Sequence, residues 1–379
     1  MANTLTALIP DFYRALDVVS RELSGFILAG TTDAQAARAA VGQTVRVPIA
    51  PAAAAEDVVP GQLPPDTGDQ VIGNTTLQIT KSRTVPFRWT GEEQKGLNNG
   101  GPGYAAIRQD QIAQAIRTLV NEVESDVAGM YVRTSRAYGT AGTTPFATNF
   151  NELPQLGKIL KDNGATMGNW NLVIDTTAGA NMRSLPNLYK VNEAGSDTLL
   201  KQGLLAERLQ GFDIRESAGV KAVTKGGGTL YVTSGAAAVG ATQIVLATGS
   251  GTINAGDVIT IGTDPNKYVV ATGVTAPGTI TIAQPGLRVA TTNGLTVTVG
   301  GNYTANAAFA KTALAIALRA PALPEEGDMA ADRMLITDPR TGITFELAMY
   351  PLYRRIRYEV SLAWGYANIK PEHTALLLG

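Results

Sequence analysis

The stretch DVITIGTDPNKYVVATGVTAPGTITIA, residues 257–283, alternates apolar and small polar residues and breaks at Gly, Pro and Asn. It predicts three short strands, Asp257–Ile261, Lys267–Ala271 and Thr279–Ala283, separated by tight turns. Val239–Leu246 and Leu295–Val299 extend the pattern on either side. The whole segment from Lys225 to Tyr303 is rich in Gly and Thr. After Lys225 its only charged side chains are Asp257, Asp264, Lys267 and Arg288. Nothing in it suits a long helix, whereas helix-compatible sequence stands on both sides. Regularly spaced short strands argue for a small barrel or sandwich, here an all-β unit inserted into a host.

Outward from the insert, the host alternates helix and strand. Upstream, Leu153–Lys161 and Thr177–Ser184 read as helices, and Trp170–Ile174 and Phe212–Glu216 as strands. Leu199–Leu209 is mixed. Asp175 is placed to cap the helix behind it. Downstream, the Ala-rich run near Ala307–Ala317 reads as a helix. Strands are then expected at Met334–Thr337, Thr341–Met349 and Arg354–Trp364, the last alternating clearly through Arg355-Ile356-Arg357-Tyr358-Glu359-Val360.

The N-terminal third has three parts. Phe12, Leu16, Val19, Leu23, Phe26 and Ile27 share one helical face. A helix of this length needs a surface to dock on. Val45–Val47 and Thr76–Thr80 alternate as strands around a Pro-rich stretch with Pro48, Pro51, Pro60, Pro64 and Pro65. This is a long hairpin whose limb of about twenty residues would reach about 60 Å, or two short strands of one compact sheet. Gly100–Gly103 then precedes the longest helical pattern, Tyr104 to Tyr138, about 50 Å of helix.

With 379 residues, the chain has room for two or three domains. A net charge of -1 offers no bulk attraction for nucleic acid or an anionic membrane. Charged residues at 17% and 41 glycines suit a surface largely covered by copies of itself, or an ordinary β-rich secreted protein. Without cysteine there are no disulfides, thiol nucleophiles or thiolate metal sites. The start lacks the pattern of a signal peptide, and no apolar run is long enough to span a membrane. A protein kept in a cytoplasm is the simplest expectation.

Little in the chain resembles catalytic equipment. His373 is the single histidine, so a Ser-His-Asp triad would have to recruit it; a solvated or packing role fits better. Glu92-Glu93, Asp57, and Glu325-Glu326 with Asp328 sit beside Gly or Pro in expected surface loops, without calcium-loop spacing. Gly100–Gly103 lacks the spacing of a phosphate cradle and reads as a hinge. Arg354, Arg355 and Arg357 form the densest basic cluster. Alternation puts Arg355 and Arg357 on one strand face, where ion pairing within the chain or with a neighbour outweighs DNA contact. No cofactor or metal is expected.

Four stretches together carry a family resemblance: Asn171–Arg183, Leu209–Ser217, Asn306–Leu318, and Gly342–Ala348 with Tyr358–Gly365. Their order and the position of the insert resemble the major capsid proteins of tailed bacteriophages, in particular the coat proteins of short-tailed enterobacterial phages with an inserted β-barrel. The resemblance implies an α+β tailed-phage major capsid fold with an inserted all-β barrel domain. Residues 1–40 would be the N-terminal arm and 41–90 the extended hairpin loop. Residues 91–149 would form the peripheral domain with its spine helix. Residues 150–222 and 304–335 would be the two parts of the axial domain, around the inserted barrel at 223–303. Residues 336–379 would supply the return strands.

The function implied is self-assembly, as hexamers and pentamers, into an icosahedral head around double-stranded DNA. A separate scaffolding protein and a portal protein would be partners. Candidate subunit contacts are Phe12, Tyr13, Pro60, Pro64, Pro65, Arg355 and Arg357. Some proteins of this fold crosslink through Lys and Asn, but the resemblance does not reach Lys81 or Lys95. Alternatives are a bacterial nanocompartment shell, a tail or fibre protein, and a cytoplasmic hydrolase with a β accessory domain.

Overall fold

The computed structural model describes residues 25–33, 38–49, 69–99, 103–186, 208–337 and 343–379, with isolated positions 55, 57, 60 and 61. One helical turn, α1 (Phe26–Ala29), leads into β1 (Thr31–Asp33). A hairpin of β2 (Thr44–Ile49) and β3 (Gly73–Gln78) follows. Only Ile79 and Thr80 separate it from β4 (Lys81–Thr90). Thr90 and Glu93 form a capping box that starts α2 (Gly91–Asn98). Next come α3 (Tyr104–Val127), preceded by Gly103 at φ 91°, and the short β5 (Arg136–Tyr138).

The middle of the chain supplies α4 (Glu152–Asp162), β6 (Trp170–Ile174), α5 (Thr176–Ser184) and β7 (Phe212–Glu216). Asp175 caps α5 as its sequence predicts, accepting the N–H groups of Thr177 and Ala178 at 3.1 and 3.2 Å. After β8 (Ala222–Val223) come β9 (Tyr231–Thr233), β10 (Gln243–Ala247), β11 (Val258–Ile261), β12 (Lys267–Thr272), β13 (Thr279–Ile282) and β14 (Thr296–Val299). The chain returns through β15 (Tyr303–Ala310), β16 (Leu314–Arg319), β17 (Asp332–Thr337), β18 (Thr344–Leu352), β19 (Arg355–Asn368) and β20 (Thr374–Leu378).

Three assemblies of strands result. The first runs β1-β16-β19-β18-β17, with β4 paired to β19 along Lys81–Thr90. The 14 residues of β19 hold β18 along 355–361 and β16 along 363–368. One face of this sheet lies under α3, whose Ile112, Ile116, Leu119, Val123 and Val127 pack with Phe345, Leu347, Val360, Leu362 and Trp364. Burying side chains of this size contributes about 2 kcal/mol each. The second assembly runs β5-β20-β15-β6-β7 and packs against α4 and α5. The third is the insert. Its strands follow β11-β14-β9-β10-β13-β12, and β12 pairs back to β11, closing a six-stranded barrel. Tyr231, Ile244, Ile259, Tyr268, Val270, Ile280 and Val297 fill it. The architecture is therefore α+β with an inserted closed barrel.

The stem of the barrel is held shut. β8 pairs with the start of β15, Val223 opposite Tyr303. The buried Asp257 carboxylate accepts the N–H of Gly226 at 3.0 Å and of Asn254 at 2.8 Å. The barrel is also joined to the host by pairing of β12 with β5, Tyr268 opposite Arg136.

Two helix expectations are corrected. Ala307–Ala317 is not helical; it forms the end of β15, a 3-10 turn and the start of β16. Its alternate residues face two cores. Ala307 and Phe309 join the core under α3, and Ala308 and Ala310 join the one under α4. A strand buried on both faces shows a continuous apolar run, which periodicity does not distinguish from a helix. The long helix ends at Val127 rather than Tyr138, so it spans about 36 Å. Ala128–Arg133 tightens into a 3-10 turn, and Arg136–Tyr138 is taken into the sheet between β20 and β12.

Candidate assembly surfaces

The hairpin is rooted where β3 passes into β4. Leu77 and Ile79 are buried with Ala39, Ala315, Ala317 and Ala363. Gly365 permits this approach, since a Cβ there would lie 1.9 Å from the carbonyl oxygen of Gln78. Among the described residues β2 and β3 pair only with each other, Thr44 opposite Gln78 at the root through Ile49 opposite Gly73. This ladder is six residues a side, about 20 Å. Toward its far end Val71 is 89% and Ile72 64% exposed. Pro60 lies exposed in a turn with Gly61. Pro64 and Pro65 lie outside the described residues, as do Phe12 and Tyr13.

The described N-terminal segment begins at a polar anchor. Glu124 of α3, 4% exposed, accepts the N–H groups of Phe26 at 2.6 Å and Ile27 at 3.2 Å and the Ser217 hydroxyl at 2.7 Å. Burial pushes the Glu124 carboxyl above its ordinary value, while these hydrogen bonds pull it back. Phe26 and Ile27 are themselves buried, so this end of the expected arm docks on its own chain.

Arg355 and Arg357 lie on the face of the first sheet opposite α3, as alternation predicts. Arg355 is exposed and stands across from Thr90 and Leu352. Arg357 pairs with Glu359 at 2.5 Å and stands across from Tyr350 on one side and Arg88 on the other. Two arginines directly opposite each other repel; Glu359 beside Arg357, and Glu93 near Arg88, offset that repulsion. Lys81 is engaged within the chain. It pairs with Asp126 at 2.8 Å and Glu122 at 3.4 Å, and the Asp126 hydrogen bond raises its pKa.

The remaining sequence candidates do not converge. His373 sits in the 3-10 turn before β20, its pKa lowered by burial. Glu92 and Glu93 are exposed in the first turn of α2. Among the described residues no three His, Asp or Glu side chains group as a metal site. No helix there is long and apolar enough to cross a membrane. The strands expected at Thr341–Met349 and Arg354–Trp364 leave a turn between them, which falls at Tyr353-Arg354 with Leu352 and Tyr353 exposed; sequence reasoning did not single it out as a surface. An aromatic residue beside Pro351 and two arginines at the end of a strand is a visible signal of such a tip.

No family model matches the chain, and no curated protein matches it. Among solved structures it is similar to the capsid structure of the cyanophage P-SCSP1u, at 13% identity over 92% of this chain and 86% of that one, with a TM-score of 0.48. It is also similar to a chain of Mycobacterium phage Che8, at 14% identity, covering 89% and 84%, TM-score 0.45. A third is a virus-like particle from Pyrococcus furiosus, at 14% identity, covering 96% and 95%, TM-score 0.42.

Proposed function

We propose that this chain is a major capsid protein that assembles with copies of itself into the icosahedral head of a tailed phage around double-stranded DNA. The observation that carries the reading is the hairpin. From a root at Leu77 and Val45 that packs on the body, it runs out as a two-stranded ladder with exposed Val71 and Ile72 near its far end. Two strands alone are marginal in water, so the outer half of the ladder suits a surface on a neighbouring copy. The order of parts supports the same reading. An anchored N-terminal segment, a hairpin, a long helix across a sheet and a barrel at a two-strand stem follow the layout implied by the sequence resemblance.

The role is structural. Copies would meet through the N-terminal arm, the hairpin and the axial parts, forming hexamers and pentamers. A scaffolding protein and a portal protein would be further partners, with assembly in the host cytoplasm and the mature protein in the virion. The net charge of -1 suits a container wall that does not grip its DNA. Replacing residues 60–68 with a short Gly-Ser turn tests the reading. The circular dichroism of the subunit should match the parent, and particles should be lost. Unchanged particle yield, or an unfolded subunit, would contradict it.

A further inference from the structure

Two groups of charge lie at one end of the first sheet, and neither is neutralised by an ion pair among the described residues. The turn between β18 and β19 presents Leu352, Tyr353, Arg354 and Arg355. Tyr353 is 89% exposed and Leu352 42%. Arg354 holds a left-handed backbone, φ 54°, which costs a non-glycine residue energy. The loop before β17 presents Glu325, Glu326 and Met329, the last 83% exposed. Neither Arg354 and Arg355 nor Glu325 and Glu326 have an ion pair among the described residues.

The acidic loop is tied to the same end of the sheet as the basic turn. Ala331 N–H donates to the Met349 carbonyl at 2.9 Å, three residues before Leu352. Asp328 accepts the Ala330 N–H at 3.0 Å and the Tyr350 hydroxyl at 3.1 Å, and it pairs with Arg333. The loop is thus fixed before any partner arrives, which lowers the ordering cost of binding.

We propose that this corner is an interface between copies of the chain, in which Arg354 and Arg355 of one copy meet Glu325 and Glu326 of the next while Tyr353 packs beside Met329. The partner follows from the charge pattern. A surface that carries both unmet signs side by side is complemented by a second copy of itself. The turn of one copy meets the loop of another, a pairing of unlike patches at one corner that either closes about a two-fold axis or repeats from copy to copy. Exposed ion pairs are individually weak; Tyr353 supplies the buried anchor such a contact needs. This contact rests on the capsid reading and adds to it a surface separate from the hairpin.

The absence of cysteine allows a direct test. R354C and E326C chains, each full length, are mixed, assembled and oxidised. A disulfide-linked dimer that forms from the mixture, and much less from either chain alone, is expected. No such dimer in assembled particles overturns the proposal. Charge exchange gives the second arm. R354E/R355E and E325R/E326R should each lower particle yield at least about tenfold, and the fourfold exchange should restore it to within about twofold of the parent. Folded reversal variants that assemble like the parent overturn this interface alone. A parent chain that never assembles overturns the capsid reading as well.

Discussion

Glu124 accepts the backbone N–H of Phe26 at 2.6 Å across 98 positions of sequence. The turn α1 has no side-chain cap of its own; a residue in the middle of the chain supplies it. The same carboxylate receives Ser217, just after β7. The long helix, the N-terminal segment and the approach to the barrel therefore share one buried acceptor. Alanine at 124 leaves two buried N–H groups and a hydroxyl unpaired and should cost about 3 kcal/mol, read as a lower urea midpoint.

The same site predicts a pH dependence. Burial raises the Glu124 carboxyl above 4.5, so the folded chain holds its proton more tightly than the unfolded chain. Its contribution is full below pH 4.5, falls as pH rises through the folded value and then levels off. E124Q should remove that part of the slope. Parallel urea titrations between about pH 4 and 8 check it; identical slopes in the two proteins would refute it.

At the hairpin root, alanine in place of Gly365 would drive a methyl group into the Gln78 carbonyl. Either β3 lifts from β19 or the sheet distorts, at about 3 kcal/mol. Limited proteolysis should cut the G365A hairpin root faster than the parent's, alongside a lower melting temperature. Equal cleavage would show that the root is looser than its geometry implies.

Inside the barrel, the Tyr268 hydroxyl donates to Asp264 at 2.6 Å and accepts the Arg288 N–H at 3.0 Å. Burial first, then the Asp264 hydrogen bond, pushes this phenol up to about 12. The folded state holds the proton more tightly, so this contribution is intact below pH 10 and is lost as pH rises through about 12. Ultraviolet titration of the parent should show a tyrosine ionising near that value which Y268F lacks. Y268F should also lose about 1 kcal/mol at neutral pH.

On the face of the first sheet away from α3, buried Glu346 joins Arg38, which precedes the hairpin, to Arg333 of β17, the latter at 3.0 Å. Alanine at 346 removes the acceptor that the two guanidinium groups share and should cost about 2 kcal/mol, since Arg333 keeps Asp328 and Arg38 keeps the Pro321 carbonyl. R38A alone should cost less. A larger loss for R38A than for E346A would reverse the assigned order.

Strands with clear alternation were legible, and Trp170–Ile174 and Phe212–Glu216 appear with the bounds their sequence predicts. The barrel was legible because turn residues punctuate its strands, although Tyr231–Thr233 was missed. Ala307–Ala317 misleads because alanine favours helices in isolation; here its small volume lets one strand divide two cores. Thr374–Leu378 is as apolar as a helix interior and gave no alternation, yet it lies between β15 and β5. The capping box at Thr90 and Glu93 was a readable sign of α2. For the surfaces, sequence located the basic strand face, but Arg88 opposite Arg357 depends on a pairing between segments far apart in the chain.

The central claim is self-assembly. Negative-stain electron microscopy of the full chain, expressed with and without a candidate scaffolding protein, tests it most directly. Hollow isometric shells of megadalton mass are expected in at least one condition. A stable small oligomer under both would contradict it.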